Sequence, residues 1–212
     1  MNNPAIELIK QLRLETGAVV QDCRKVLKQF NHDYAKALEY LREQGPETTA
    51  KHADRPALQG MVEVYTHGNG RVGVMVEVNC ETDFSAGSPV FRSFAHEIAL
   101  QVAATAPRYI RDEDIPAEVL RAEAQKAEAR ARQAGKPEAI VSRIVAGLLE
   151  KYKNQAVLLR QAYIRDDSLT VDQLLNQAIA TVRENIVIRR IVRWEAGEEN
   201  DPGTLTNPAL GR

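Results

Sequence analysis

The stretch MVEVYTHGNGRVGVMVEV, residues 61–78, decides the fold. Val62 and Val64 alternate with Glu63 and Tyr65, and Val72, Val74, Val76 and Val78 recur at the same spacing of two, the period of a β-strand with one covered face. Gly68-Asn69-Gly70 between the two runs supplies residues that accept the positive φ of a tight hairpin turn. These glycines do not read as a phosphate loop, because no Gly-Lys-Ser/Thr follows and they join two strands.

Working outward toward the carboxyl end, Ser88-Pro89 reads as the N-cap and first residue of a helix that carries Phe91, Phe94, Ala95, Ile98 and Val102 on one face. That face is expected to pack on the hairpin. Ala117–Gln133 is rich in Ala, Glu, Arg and Lys, which favours a largely solvated helix. Gly135-Lys136-Pro137 breaks it, and a second helix follows whose Val141, Ile144, Val145 and Leu148 read as a core face. Val157–Ile164 is expected to be extended, Asp166-Asp167 to turn, and Thr170 to cap a helix burying Val171, Leu174, Leu175, Ala178 and Val182. In a last strand Ile186, Ile188, Val192 and Trp194 share one parity, interrupted by Arg190, and Val187, Arg189, Ile191 and Arg193 the other. Glu198–Arg212 has too little apolar content to offset the entropy of ordering and reads as a mobile tail.

On the amino-terminal side, Ala5, Leu8, Ile9 and Leu12 recur at helical spacing, Gly17 interrupts, and Val19, Cys23, Val26, Leu27 and Phe30 form a second helical face. Asp33 caps a third helix with Ala37, Leu38 and Leu41 inward, closed by Gly45-Pro46. Glu47–Gln59 is polar and reads as a linker. The expected class is α+β: a three-helix module over 1–46, a linker over 47–59, a core of a small antiparallel sheet packed with helices over 60–197, and a tail over 198–212.

Composition excludes several functions. With 28 Lys and Arg against 29 Asp and Glu the net charge is −1, which provides no global field for nucleic acid or an anionic membrane. Arg183, Arg189, Arg190 and Arg193 cluster without interleaved aromatic rings, so packing stems and ion pairs are their expected use. Cys23 and Cys80 match no zinc or redox spacing and read as reduced thiols; with no targeting segment and no apolar run of about 20 residues, a soluble cytoplasmic protein is expected. His32, His52, His67 and His96 fall in separate elements, so neither a metal nor a cofactor is expected. Cys80 beside Glu81 and Asp83 lacks a histidine base and reads as a packing thiol, while Asp166-Asp167 and Glu198-Glu199 read as solvated pairs, which leaves no enzyme active site.

Thr82-Asp83-Phe84-Ser85 places a large ring in a polar loop between a strand and a capped helix. Two readings stand: Phe84 folds back onto its own core, or it anchors in a partner's groove while Asp83 accepts hydrogen bonds from that partner's exposed amides.

Thr16-Gly17-Ala18 followed by Asp22-Cys23-Arg24-Lys25 resembles the start of the elongation factor Ts family. Glu77-Val78-Asn79-Cys80-Glu81-Thr82-Asp83-Phe84 is similar to that family's signature almost letter for letter. Leu158–Trp194, with Glu184-Asn185-Ile186-Val187 and Arg189-Arg190, resembles its carboxyl end, so the likeness runs through Gly197. Departures fall at Val19-Val20-Gln21, where members often carry Gly and two Met, and at Ser85, where they carry Val. The resemblance implies a ubiquitin-associated-like module and an exchange factor for elongation factor Tu, with Arg13 and Val20 of the module touching the GTPase. Thr82, Asp83, Phe84 and Ser85 would dislocate its magnesium, which belongs to the partner. It also implies the compact type, a homodimer without room for the projecting helical hairpin of longer members. The alternatives are a protein-binding module without exchange activity and, less favoured by the balanced charge, a nucleic-acid-binding protein.

Overall fold

The computed structural model describes residues 4–16, 18, 20–41, 54–198 and 205–206. Helix α1 spans Pro4–Thr16, α2 Val20–Gln29, and residues 34–41 are helical, α3. Leu12, Cys23, Val26, Leu27, Ala37 and Leu41 form their buried core, with Leu8, Ile9, Phe30, Tyr34, Leu38 and Tyr40 packed around it. Full burial of a side chain such as Leu12 or Leu27 contributes about 1.5–3 kcal/mol, which is how three short helices of modest propensity hold together. α2 ends with Asn31 and His32 at φ 52° and 65°, where the His32 amide donates to the Leu27 carbonyl at 2.7 Å and the Asn31 amide to Lys28 at 3.3 Å. Asp33 then caps α3 as expected, its Oδ1 accepting from the Lys36 amide at 3.2 Å. The expected roles of Gly17, Val19, Gly45-Pro46 and linker residues 47–53 lie outside the described residues.

Strands β1 (Gln59–His67) and β2 (Val72–Cys80) form the expected hairpin through Gly68, Asn69 and Gly70, all at positive φ, with the Arg71 amide donating to the Gly68 carbonyl at 3.2 Å. Val72, Val74, Val76 and Val78 are buried. On β1 the outcome is reversed: Val62 and Val64 are 52 % and 61 % exposed, and Met61, Glu63 and Tyr65 occupy the more covered face. A period of two separates the faces of a strand without saying which one another element covers. Here Glu63 is held from α5, His96 Nδ1 lying 2.8 Å from its Oε1.

The expected loop after β2 is a single helical turn, α4 (Asp83–Ala86), and α5 (Pro89–Thr105) begins as predicted, with Ser88 Oγ accepting from the Phe91 amide at 3.3 Å. Phe91, Phe94, Ala95, Ile98 and Val102 are all buried. α6 (Ala117–Gln133) and α7 (Glu138–Ala156), the two helices expected on either side of Gly135-Lys136-Pro137, pack on one another. On α7 only Val141 and Ala156 are buried, Ile144 and Val145 are partly covered, and Leu148 is 40 % exposed. An expected core face is thus half-covered, because a neighbouring helix built largely of Ala and charged residues shields only a narrow stripe.

Leu158–Arg160 forms a 3-10 turn rather than extended chain, and β3 (Ala162–Tyr163) pairs antiparallel with β4 (Asp166–Thr170), so Asp166-Asp167 lies in a strand and not in a turn. Helix α8 (Val171–Val182) and strands β5 (Val187–Glu195) and β6 (Leu205–Thr206) follow. The main sheet runs β1-β2-β5-β6, with Ile191 paired to Thr206 and Val192 to Leu205. Neither expected parity of the last strand holds throughout, since Ile186, Ile188 and Ile191 are buried and Trp194 is 63 % exposed. Of the tail, residues other than Glu198, Leu205 and Thr206 lie outside the description.

The chain divides into two compact units. The first comprises Met1–Glu63, Val76–Ile98 and Asp172–Arg189. It contains α1 to α4 and α8, and it is where the sequence-predicted site falls. The second comprises Val64–Met75, Ala99–Val171 and Arg190–Arg212. There Gln101, fully buried, donates to Gln161 Oε1 and the Ala162 carbonyl and accepts from the Ile164 amide, tying α5 to β3.

Candidate partner-binding site

Thr82 is extended, at φ −125° and ψ 155°, and caps the α4 turn, its hydroxyl oxygen accepting from the Ser85 amide at 3.2 Å. The Ala86 amide closes the turn on the Thr82 carbonyl at 3.2 Å, and Gly87 and Ser88 continue with bonds of 3.0 Å to Asp83 and Ser85. Consecutive residues on a helical turn point about 100° apart, so fixing Ser85 inward, 6 % exposed, turns Phe84 outward. Phe84 is 86 % exposed, with Asp83 exposed beside it, so the ring is not folded back onto its own core. Four adjacent sequence-predicted residues are therefore brought together as a capped turn with one inward and two outward side chains.

Beneath the turn, the Cys80 thiol donates to the Thr82 carbonyl at 3.1 Å. Burial first, and then the charge of Glu184, push this thiol up to about 11, so it stays protonated near neutrality and acts as a packing group.

The residue that sequence reasoning missed is Glu184. Its Oε2 accepts from the Glu81 amide at 3.1 Å and the Thr82 amide at 3.0 Å, while its Oε1 accepts from the Thr82 hydroxyl at 2.7 Å. Burial raises this carboxyl, but hydrogen bonds from the Ser85 and Thr82 hydroxyls and the two amides outweigh it and hold the group below its ordinary value. The exchange is mutual: the Asn185 amide donates to Glu81 Oε1 at 2.7 Å, and buried Asn185 Nδ2 donates to the Arg55 carbonyl at 2.7 Å. The Arg55 guanidinium lies 3.6 Å from Glu81 Oε2. Glu184 reaches this position because α8 ends at Val182 and Arg183 adopts φ 64°, turning the chain back.

Arg13, in the last turn of α1, is exposed, and Val20, the first residue of α2, is 40 % exposed. They lie on the helical module, on elements separate from the Thr82–Ser85 turn. The arginines near β5 are used as expected where they are resolved in pairs: Arg193 donates to Ala103, Glu195 and Glu198, and Arg189 lies 3.9 Å from Glu77. Among the described residues no group of three His, Cys, Asp or Glu side chains is placed to hold a metal, and no helix is long and apolar enough to cross a membrane.

What this turn presents is an aromatic ring and a carboxylate on a braced edge, a surface suited to binding. Known proteins resemble this chain over most of its length. The family model described as Elongation factor TS matches residues 28–198. Elongation factor Ts of Caldanaerobacter subterraneus subsp. tengcongensis is 50 % identical over 192 residues, covering 91 % of this chain and 96 % of that protein. Elongation factor Ts of Moorella thermoacetica is 49 % identical over 190 residues, covering 90 % and 94 %. For Elongation factor Ts of Coprothermobacter proteolyticus the figures are 47 % over 191 residues, covering 90 % and 97 %. Likeness at this level across nine-tenths of the chain, signature turn included, establishes that the chain belongs to the elongation factor Ts family.

Proposed function

We propose that this chain acts in translation elongation as a guanine nucleotide exchange factor for elongation factor Tu, releasing GDP by disturbing the magnesium and phosphate site of that GTPase. The observation that carries the reading is Phe84, a ring 86 % exposed on a capped and buttressed turn. An aromatic side chain held in water contributes little to folding and gains most of its burial energy in a partner's groove.

The work required is differential binding. Phe84 and Asp83 enter the open form of the GTPase and fit the closed, GDP-bound form poorly, so occupancy shifts the population toward the open form and loosens the nucleotide. GDP must weaken the factor by the same factor that the factor weakens GDP, so exchange runs through a transient ternary complex. No covalent or proton-transfer step is needed, which fits a chain read as a non-enzyme without a cofactor of its own. In this reading the module over residues 1–46 makes a second contact through Arg13 and Val20, and the core over 60–197 supports the wedge and pairs with a second copy, giving a two-plus-two complex.

Release of a fluorescent GDP analogue from elongation factor Tu, followed at substoichiometric amounts of this chain, tests the proposal. Turnover of many GTPase molecules per molecule of factor is expected. Binding without acceleration would refute exchange and favour a protein-binding module alone.

A further inference from the structure

Building on the exchange reading, we propose that Glu184 is a positioning residue for the wedge: its carboxylate holds the Glu81–Thr82 backbone and the Thr82 side chain so that Phe84 is presented outward before the GTPase arrives. A large apolar ring on a surface turn gains by collapsing onto nearby apolar surface, and a four-residue helix has too few internal bonds to resist. The bonds that oppose collapse come from elsewhere in the chain. Glu184 takes two backbone amides on Oε2 and one hydroxyl on Oε1, and that same Thr82 hydroxyl accepts from the Ser85 amide. Glu184 thus reaches the cap itself, and through it the residue whose inward direction turns Phe84 outward.

The return contact makes the brace mutual, since Glu81 accepts from the Asn185 amide while Glu184 accepts from the Glu81 amide. Asn185 is in turn anchored on the Arg55 carbonyl. Only an acceptor with two oxygens and no protons satisfies this set of donors, so a carboxylate suits the position better than an amide of the same shape. Arg183, at φ 64°, is held in a conformation that costs a non-glycine residue free energy, and the bonds made by Glu184 offset that cost.

A positioning role and a wedge role separate kinetically. If Glu184 only maintains the competent turn, its loss lowers the fraction of molecules ready to bind and raises the concentration needed in proportion, leaving the rate at saturation close to that of the parent. Loss of the wedge itself lowers the rate at saturation.

The test is GDP release from elongation factor Tu titrated with the full chain, its Glu184→Ala and Glu184→Gln variants, and Phe84→Ala. Glu184→Ala is expected to raise the half-saturating concentration about tenfold or more, with the plateau within about twofold of the parent. Glu184→Gln, which keeps one acceptor oxygen and the side chain's size, is expected to fall between, and Phe84→Ala to lose plateau. Melting curves establish that each variant is folded, and Glu184→Gln carries the test should Glu184→Ala fail to fold. Parent-like titrations for both Glu184 variants, or a lowered plateau at unchanged half-saturation, would overturn the positioning role with exchange intact. Absence of acceleration by the parent chain would instead overturn the exchange reading on which it rests.

Discussion

Replacing Phe84 by Ala should separate folding from function more sharply than any other single change. Full burial of a Phe side chain contributes about 1.5–3 kcal/mol, and with only some 14 % of this residue covered the contribution to folding is about 0.2–0.4 kcal/mol. The better helix propensity of Ala returns a few tenths of a kcal/mol in the α4 turn, so the melting temperature should stay within roughly 2 °C of the parent. If the ring is fully covered in the open GTPase, the same truncation removes about 1.5–3 kcal/mol from that state, which is about a 10- to 150-fold loss of stimulated GDP release. Stopped-flow release of a labelled GDP from elongation factor Tu, paired with thermal melts of the free chain, measures both quantities on one preparation. Phe91→Ala is the contrasting control: that ring is fully buried, and its removal should cost about 3–5 kcal/mol of folding stability. Stimulated release unchanged in Phe84→Ala would refute the wedge, and a large drop in its melting temperature would refute the premise that the ring stands free.

Gly60 has φ 153°, and a Cβ added there would lie 2.2 Å from the Val78 carbonyl oxygen and 2.7 Å from Asn79 Cα, so Gly60→Ala should cost about 3 kcal/mol or more, read as a lowered urea midpoint. The carboxyl of Glu184 is held below its ordinary value, so its contribution to stability is fully present above that ordinary value and is lost as pH falls through the lower folded one. Melting temperatures of the parent and Glu184→Gln should therefore differ at neutral pH and converge as pH falls below the ordinary carboxylate range; a constant gap across the acid range would contradict the assigned bonds.

The hairpin was legible because its turn and its period of two leave few other solutions, yet Val62 and Val64 show the limit. The same pattern that buries Val72 to Val78 leaves these two exposed, since the choice of covered face is made by elements far along the chain. Helix α7 fails similarly: Val141, Ile144, Val145 and Leu148 do form a stripe, but the facing Ala-rich helix does not cover it all. Caps read locally, at Asp33 and Ser88, were correct because their partners lie within three residues. At the site, the Thr82–Ser85 segment could be found by resemblance, whereas the direction of Phe84 could not, because the capped turn is bonded to Glu184, and the adjoining Glu81 to Asn185, more than 100 positions away. Those two residues carry no periodic or spacing signal; they stand in the block that resembles the family's carboxyl end, but nothing there ties them to a turn more than 100 positions earlier.

The brace also orders events in time. Glu184 contacts residues 102 and 103 positions earlier, and Asn185 reaches back 104 positions to Glu81. During synthesis at about 5–20 residues per second, the strand and turn carrying Phe84 exist for several seconds before the residues that brace them are made. The helical module and the hairpin can close on local contacts, but in the proposed reading competence at the wedge waits until residues 184 and 185 have been made. A nascent or prematurely ended chain stopping before residue 184 would therefore carry the signature turn without its brace, and incomplete molecules would be disfavoured from competing with finished ones for the GTPase.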